Sequence, residues 1–198
     1  SDLDLREARD ATTASAYRMV TGPQTITGGL NLWVDITWLG PHETGAQVLA
    51  TAALGALQRQ SGVDTITLSG AATLPRYAEH LRDLPGIELH SDDAPMPQAD
   101  IAWYPNQIDR RSNIAQARAQ GRRVVTTYLD LIAYDIPRYH ASANDWADYR
   151  HLQRAVALSV DGITTISQAA ANRLLLEVPQ LDASRVRAFP LGLDHISA

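Results

Sequence analysis

The stretch that organises this sequence is VVTTYLDLIAYDIPRYH, residues 124–140. It opens with an uninterrupted apolar and β-branched run, which is typical of a strand buried on both faces of a parallel sheet. It continues into a connection rich in titratable and hydrogen-bonding groups, among them Asp130, Tyr139 and His140. Ligands of open α/β sheets bind beyond the carboxyl ends of the strands, so we interpret this connection as one wall of a site. A solvated strand-to-helix loop is the alternative.

Strand-like and helix-like segments alternate on both sides of this stretch. The pattern predicts strands at residues 30–37, 63–68, 87–90, 99–104, 124–128, 162–166 and 185–189. It predicts helices at residues 46–60, 74–84, 113–120, 144–160 and 168–177. We expect Gly121 to end the third helix, Asn144 or Asp145 to cap the fourth, and Ser167 to cap the fifth. The alternation predicts an α/β fold, a doubly wound, mostly parallel, Rossmann-like sheet with helices on both faces.

The first 29 residues are set apart from this pattern. Residues 4–20 are predicted to form a helix, and the glycine- and proline-containing stretch 21–29 interrupts it. We interpret residues 1–29 as a helical arm or linker, with a first helix docked on the domain as the alternative. Residues 30–198 are then one Rossmann-like domain.

Composition narrows the class of protein. The chain has 198 residues, 45% of them hydrophobic, which is enough for a sizeable core. The net charge of −5 lacks the basic footprint of a nucleic-acid binder. The absence of cysteine excludes disulfides and thiolate nucleophiles and is consistent with a cytoplasmic protein. Neither a membrane-spanning apolar run nor a secretory signal is visible.

The loop after the first predicted strand is WLGPHETG, residues 38–45. His42 and Thr44 lie just before a predicted helix, and Gly45 allows close approach of a ligand to the backbone. The free N–H groups of the helix would favour an anion or a sugar oxygen. A helix cap with a tight turn is the alternative for this loop. The dinucleotide fingerprint G-x-G-x-x-G and the phosphate-loop G-K-[ST] are both missing.

A second loop follows the fourth predicted strand, YPNQIDR at residues 104–110. Asn106 and Gln107 are neutral donors and acceptors that suit hydroxyl groups, although turn chemistry also explains them. In the third loop, Tyr128 and Asp130 follow the organising strand directly. No hydrolase elbow and no zinc-binding histidine pair are present.

Several segments together resemble the N-terminal half of a retaining, family-four glycosyltransferase of the GT-B fold. The matching segments are LWVDIT with its glycine loop, VVTTYLDLIAYDIPRYH, WADYR at 146–150, DGITTIS at 161–167 and RVRAFPLGLD at 185–194. Their order is similar to the family series "TxHDL…P", "W…YR", "aDxitttiS" and "vxPxGvD". The resemblance covers residues 30–194.

This resemblance implies a division of labour. In that family the N-terminal domain mainly binds the acceptor, and a C-terminal domain binds the nucleotide-sugar donor. The implied function is therefore transfer of a sugar to a glycan or other hydroxyl acceptor, without cofactor or metal. The donor-binding domain is expected to be absent from these residues, which alone should be inactive. The protein is expected in the cytoplasm, free or peripheral at the inner membrane face, and a non-catalytic ligand-binding or interaction domain is the alternative.

The same resemblance assigns roles to residues. Asp130 would orient an acceptor hydroxyl or anchor its loop, and it is the catalytic candidate. Ser167 and Gln168, at a helix N-terminus, would face the cleft, with a plain helix cap as the alternative for Ser167. Leu129 stands where the family often has a histidine before the aspartate. That departure indicates either a subgroup without the histidine or a non-catalytic member.

Overall fold

The structure is a computed structural model that describes residues 28–70, 73–90, 98–109 and 111–189. Seven strands form one sheet, parallel throughout, in the order β3-β2-β1-β4-β5-β6-β7. The strands are β1 (Leu30–Asp35), β2 (Val63–Ser69), β3 (Ile87–Leu89), β4 (Ala99–Tyr104), β5 (Gly121–Tyr128), β6 (Gly162–Thr165) and β7 (Val186–Ala188). The chain winds outward from β1 to one edge and then from β4 to the other. This confirms the predicted α/β fold with a doubly wound parallel sheet.

Five α-helices lie between these strands in the described residues. They are α1 (Gly45–Gln58), α2 (Arg111–Gln120), α3 (Ile132–Asp135), α4 (Ala143–Ser159) and α5 (Gln168–Glu177). Short 3₁₀ segments occupy Arg76–Asp83, Pro137–Tyr139 and Ala183–Arg185. The helix predicted at residues 4–20 lies outside the described residues.

The chain forms two compact units. The described part of the N-terminal unit lies within Pro23–Asn106 and Ala115–Val125. The described part of the C-terminal unit lies within Gln107–Ile114 and Thr126–Ala198.

The core of the N-terminal unit is built on β1 and β2. Trp33 and Val34 of β1 are both buried although they point to opposite faces of the strand, as expected for a central parallel strand. Strand β1 pairs with β2 on one side and with β4 on the other. The hydrophobic cluster around them comprises Leu32, Val34, Ile36, Leu54, Ile66, Leu68, Leu74, Ala78, Leu81 and Ile87.

The C-terminal unit buries polar groups of β5 by pairing them. The hydroxyl of Tyr128 is fully buried and donates to the carbonyl oxygen of Gln153 on α4, at 2.7 Å. The hydroxyls of Thr127 and Thr164 on the neighbouring strand β6 lie 2.8 Å apart. These bonds allow the polar side chains of Thr127 and Tyr128 to lie in the interior, because their hydroxyls have partners.

Two local predictions differ from the structure in detail. The segment predicted as a helix at residues 74–84 is the 3₁₀ helix Arg76–Asp83, and the amide of Ala78 donates to the carbonyl oxygen of Pro75 in an i→i+3 bond. Helix α4 is capped by Ser142 rather than Asn144 or Asp145, because the Ser142 hydroxyl accepts from the backbone amide of Asp145 at 3.1 Å.

The helix predicted to end at Gly121 does end there, because α2 runs to Gln120, but Gly121 begins β5 and has no positive φ. A side chain at this position would bring Cβ within 2.4 Å of the backbone nitrogen of Ala102 on β4. Glycine is required here by close contact between two strands.

Candidate functional site

The N-terminal unit contains the switch point of the sheet, between β1 and β4. The chain adds strands β2 and β3 on one side of β1 and strands from β4 onward on the other side, so the loops after β1 and β4 run in opposite directions. Open α/β sheets bind ligands in the crevice between such loops. His42, Thr44 and Gly45 belong to the loop after β1, and Asn106 to the loop after β4. The sequence prediction of polar residues in these two loops therefore falls at the topologically favoured position of this unit.

Asp35 fixes the start of the loop after β1. Its carboxylate is buried, and its Oδ1 accepts hydrogen bonds from the amide of Thr37 at 2.7 Å and from the Thr37 hydroxyl at 2.6 Å. The indole of Trp38 donates to the Asp35 carbonyl oxygen at 3.1 Å. The sequence analysis placed Asp35 inside a strand and gave it no role. It shapes the turn that leads to His42.

The end of this loop is a helix cap. Thr44 and Gln47 form a reciprocal capping box at the start of α1, with the Thr44 amide donating to the Gln47 carbonyl oxygen Oε1 at 2.9 Å. The first turn of α1 holds no acidic residue, so the positive end of its dipole is not neutralised by its own side chains. The structure thus gives Thr44 the capping role that was the alternative to ligand binding.

Gly40 and Gly45 are not required by packing. A Cβ at either position would meet nothing within 4 Å, and neither residue has a positive φ. The loop is held instead by the hydroxyl of Tyr77, which donates to the Gly40 carbonyl oxygen at 2.9 Å. Burial and, to a smaller extent, the charge of Glu43 raise the pKa of Tyr77, so it remains a donor. His42 is exposed beside this fixed backbone.

In the C-terminal unit the loop after β5 is tied to the loop after β4. The side-chain amide of Gln107 donates to the Asp130 carbonyl oxygen at 2.9 Å. The Asp130 carboxylate is exposed, and its Oδ1 accepts from the amide of Ile132 at 2.9 Å, at the start of α3. Asp130 is therefore a loop anchor. Its exposed carboxylate also faces solvent beyond the carboxyl end of β5.

The other predicted residues of this unit have separate environments. Tyr128 is buried and its hydroxyl is engaged by α4, so the structure gives it a packing role. Tyr139 lies on a 3₁₀ turn with 60% of its side chain exposed. Ser167 caps α5 by accepting from the amide of Ala170 at 3.1 Å, as predicted. Gln168 is exposed and donates to Asn172 one turn further along α5, at 2.8 Å.

Tyr149 and His140 form a contact that the sequence analysis did not anticipate. Their ring centroids are 4.9 Å apart, and the Nε2 of His140 lies 2.8 Å from the Ala133 carbonyl oxygen. Burial, followed by the charges of Asp130 and Asp109, raises the pKa of Tyr149 to about 12. The sequence analysis showed Tyr149 only as part of the segment WADYR and gave it no role of its own.

A network of charged and aromatic groups supports the loop after β5. The Arg150 guanidinium lies 4.5 Å from the ring centroid of Tyr134 and 5.0 Å from that of Trp146. The same group pairs with Glu177 at 3.3 Å. Arg173 pairs with Glu177 and, at 2.7 Å, with Asp135 on α3. The network joins α3, α4 and α5.

The interactions that act on the pKa of Glu177 show that this network stabilises the ionised form of its carboxylate. Burial raises the pKa of Glu177, but the hydrogen bond and charge of Arg173, the Tyr134 hydroxyl and the charge of Arg150 lower it by more. The net result is a pKa below the ordinary value of 4.5. Glu177 therefore stays ionised between its two arginines at neutral pH.

Two general features of the described residues bear on the kind of site. Within residues 28–70, 73–90, 98–109 and 111–189, no group of three or more His, Cys, Asp or Glu side chains could hold a metal ion. In the same ranges, no helix has the length and apolar character needed to cross a membrane.

No protein-family model matches the chain, and no curated protein sequence matches it.

Proposed function

We propose that this chain is the acceptor-binding domain of a retaining, nucleotide-sugar-dependent glycosyltransferase of the GT-B type. The observation that carries the proposal is where the family-like segments lie. LWVDIT falls on β1, VVTTY on β5, WADYR on α4 and DGITT on β6. The loops that follow β1 and β5 carry the polar residues His42, Thr44 and Asp130. The placement of these segments on strands and a helix of a parallel sheet agrees with a Rossmann-like domain and supports the proposal.

In this proposal the chain's own residues bind and orient the acceptor. Retaining transfer needs an acceptor hydroxyl held within reach of a sugar centre that is shielded from water. The exposed carboxylate of Asp130 can accept a hydrogen bond from that hydroxyl, while its bond to Ile132 holds the loop in place. In the N-terminal unit, His42 and the backbone at Gly45, at the start of α1, would contact a sugar or phosphate oxygen.

Asn106 in the N-terminal unit is a further candidate for a substrate contact, and so are Gln107, Tyr139 and Gln168 in the C-terminal unit. Each is at least partly exposed. The nucleotide-sugar donor and the glycan acceptor are the proposed ligands, with no cofactor. Donor binding would fall to a second domain, so these 198 residues alone should turn over no nucleotide-sugar. We place the protein in the cytoplasm, free or at the inner membrane face.

A non-catalytic carbohydrate-binding domain is the second candidate. The observation that favours it is Leu129, which stands where the family often has a histidine. His140 does not replace that group by position, because its Nε2 lies at the Ala133 carbonyl oxygen and its ring packs against Tyr149.

The test uses the protein as encoded by its gene, with sugar transfer from a panel of UDP- and GDP-sugars measured for three variants. We expect Asp130→Ala to lower transfer by roughly 10- to 100-fold, because the acceptor hydroxyl loses its orienting group. Asp161→Ala, next to β6, is the matched control and should have a smaller effect. Asp130→Asn keeps an oxygen for the Ile132 amide, so it separates the carboxylate charge from the loop anchor. Equal activities of the Asp130 and Asp161 variants would contradict the proposal, and transfer by none of the proteins would favour the non-catalytic candidate.

A further inference from the structure

The carboxyl ends of β1 and β2 carry a pair of polar side chains in the N-terminal unit. Asp35 and Ser69 are register partners on these parallel strands, which lie about 4.8 Å apart, so the two side chains are neighbours on one face of the sheet. The preceding register partners, Val34 and Leu68, belong to the hydrophobic cluster on the other face. The alternation of side chains along a strand therefore places Asp35 and Ser69 together, on the face opposite that cluster.

Both side chains are buried, and each has a polar atom that makes no hydrogen bond with the residues that the structure describes. Asp35 is 2% exposed and Ser69 is 4% exposed. Both donors of Thr37 bind Oδ1 of Asp35, which leaves Oδ2 without a donor in that part of the chain. The Ser69 hydroxyl has no partner there either. A buried carboxylate oxygen without a donor is costly, so a bound molecule is expected to supply one.

The two atoms can be reached by such a molecule. The indole nitrogen of Trp33, two residues before Asp35 on the same face, is completely sealed and lacks a partner among the described residues. Asp35 Oδ2 and Ser69 Oγ are not sealed in this way, so a small part of each atom is accessible. The backbone that carries them is fixed, because the Ile36 amide donates to the Ser69 carbonyl oxygen at 2.9 Å.

We propose that Asp35 and Ser69 form a subsite for two neighbouring hydroxyl groups of an uncharged ligand. One ligand hydroxyl donates to Oδ2 of Asp35, and the next one accepts from the Ser69 hydroxyl. The carboxylate repels phosphate and carboxylate groups, which excludes an anion. An ammonium group could donate to Oδ2, but it would bury a second charge and could not accept the proton of Ser69. A diol satisfies both side chains without adding a charge.

The identification of this ligand as a sugar rests on the proposed function and deepens it. The carboxyl end of β1 borders the switch point of the sheet and leads into the loop that carries His42. The subsite adds that the sugar is uncharged, and that the ends of β1 and β2 contact it as well as the loops that follow. The hydrogen-bonding assignment of Asp35 and Ser69 does not depend on catalysis.

The experiment measures binding of small glycosides to the 198-residue chain by saturation-transfer NMR and calorimetry. The probes are the methyl α-glycosides of glucose, mannose and galactose, with glucose 1-phosphate and glucosamine for comparison. We expect at least one neutral glycoside to bind. Asp35→Asn keeps an oxygen for both donors of Thr37 and so places its NH₂ group where Oδ2 lies, which should weaken binding by about 10-fold or more. Ser69→Ala should weaken it by about 3- to 10-fold.

Two controls assign these losses to the subsite. Asp64→Asn, exposed near the opposite end of β2, removes the same charge as Asp35→Asn and should change nothing. Deoxy forms of the bound glycoside, each lacking one hydroxyl, identify the group that donates to Asp35. For that deoxy glycoside, Asp35→Asn should cause no further loss of affinity, because the hydrogen bond is already missing.

Urea unfolding of each variant will show whether the fold is retained, and if Asp35→Asn does not fold, Ser69→Ala and the deoxy glycosides decide. The proposal is overturned if no neutral glycoside binds, if glucose 1-phosphate or glucosamine binds more tightly, or if the folded variants bind as the parent chain does. Glycoside binding that depends on Asp35, combined with no transfer by the gene-encoded protein, would contradict only the proposed function. Transfer that is indifferent to Ser69→Ala and Asp35→Asn would contradict only this subsite.

Discussion

At the residue scale, the glycines of this chain differ in whether a side chain would fit at their positions. A Cβ at Gly70 would lie 2.2 Å from the Thr37 side chain, and one at Gly121 would lie 2.4 Å from the backbone of Ala102. Gly70 also has φ near +101°, which other residues rarely adopt. Gly45 has neither constraint. The fold therefore needs glycine at positions 70 and 121 and tolerates alanine at position 45.

Gly45→Ala is expected to raise the free energy of unfolding by about 0.5 kcal/mol, because alanine at the start of α1 reduces the entropy of the unfolded chain without a clash. Gly121→Ala, its matched control, should lower the free energy of unfolding by about 1–3 kcal/mol, since the strands must move apart. Urea unfolding at neutral pH measures both. Equal destabilisation by the two substitutions would show that Gly45 has a packing constraint of its own.

A second prediction at this scale concerns alkaline pH. The folded protein holds the pKa of Tyr149 at about 12, above the ordinary value of 10.0. The unfolded chain loses that proton first, so the stability contribution is complete below pH 10 and falls as the pH rises towards about 12. Tyr149→Phe should make this alkaline loss of stability shallower.

The measurement is the urea midpoint between pH 9 and about pH 11. The chain contains neither lysine nor cysteine, so tyrosines dominate the titration in this window. Part of the loss should persist in the variant, because burial also raises the pKa of Tyr128. A pH profile unchanged by Tyr149→Phe would mean that the Tyr149 hydroxyl is solvated.

The site residues differ in how far sequence could reveal them. Ser167 was predictable as a cap, because hydroxyl side chains before an apolar helical stretch have a local physical role. Asp130 was predicted either to orient a hydroxyl or to anchor its loop, and the structure shows the anchor, a hydrogen bond from the Ile132 amide. The contact of Tyr149 with His140 was missed because it depends on tertiary packing of α4.

At the scale of elements, α3, α4 and α5 are joined by arginines in two different ways. Arg150 lies between the rings of Tyr134 and Trp146 and also pairs with Glu177. Arg173 pairs with carboxylates only, and its side chain is 41% exposed. Cation–π contacts of a partly desolvated guanidinium add to its ion pair, whereas exposed ion pairs contribute little.

Arg150→Ala is therefore expected to cost about 1–2 kcal/mol of unfolding free energy, with Arg173→Ala costing less than about 1 kcal/mol. Urea unfolding in low and high salt separates the two contributions. Salt should weaken the effect of Arg173→Ala more, because exposed ion pairs are screened. A larger loss for Arg173→Ala than for Arg150→Ala would show that charge pairing, and not the aromatic contacts, holds these helices together.

Element boundaries show where local sequence signals stop being sufficient. Strand β4 was predicted with its observed bounds, because a short apolar run between polar turns has clear ends. The segment at residues 74–84 was predicted as a helix, and the structure makes Arg76–Asp83 a 3₁₀ helix, whose hydrogen-bond spacing differs from that of an α-helix by only one residue. The cap of α4 was placed two or three residues late, because Ser142, Asn144 and Asp145 all suit that position.

At the scale of the whole molecule, the edge strands of the seven-stranded sheet are shorter than the inner strand β1. The edge strands β3 and β7 have three residues each, whereas the central strand β1 has six. Short edges limit pairing with other chains. The alternation of strands and helices predicted this sheet, but no local pattern fixes which strands become neighbours. That order depends on the return of the chain from β3 to β4 beside β1.

This geometry predicts a gradient of amide hydrogen exchange in each unit. In the N-terminal unit, amides of β1 lie between two strands and beside fully buried side chains, so they should exchange only on extensive unfolding. Amides of β3 pair on one side only and should exchange at least about 10-fold faster through local opening. In the C-terminal unit, β7 should exchange faster than β6 for the same reason. Hydrogen exchange followed by mass spectrometry resolves these peptides, and equal protection of β1 and β3 would show that the N-terminal edge is covered by another part of the chain or by a partner.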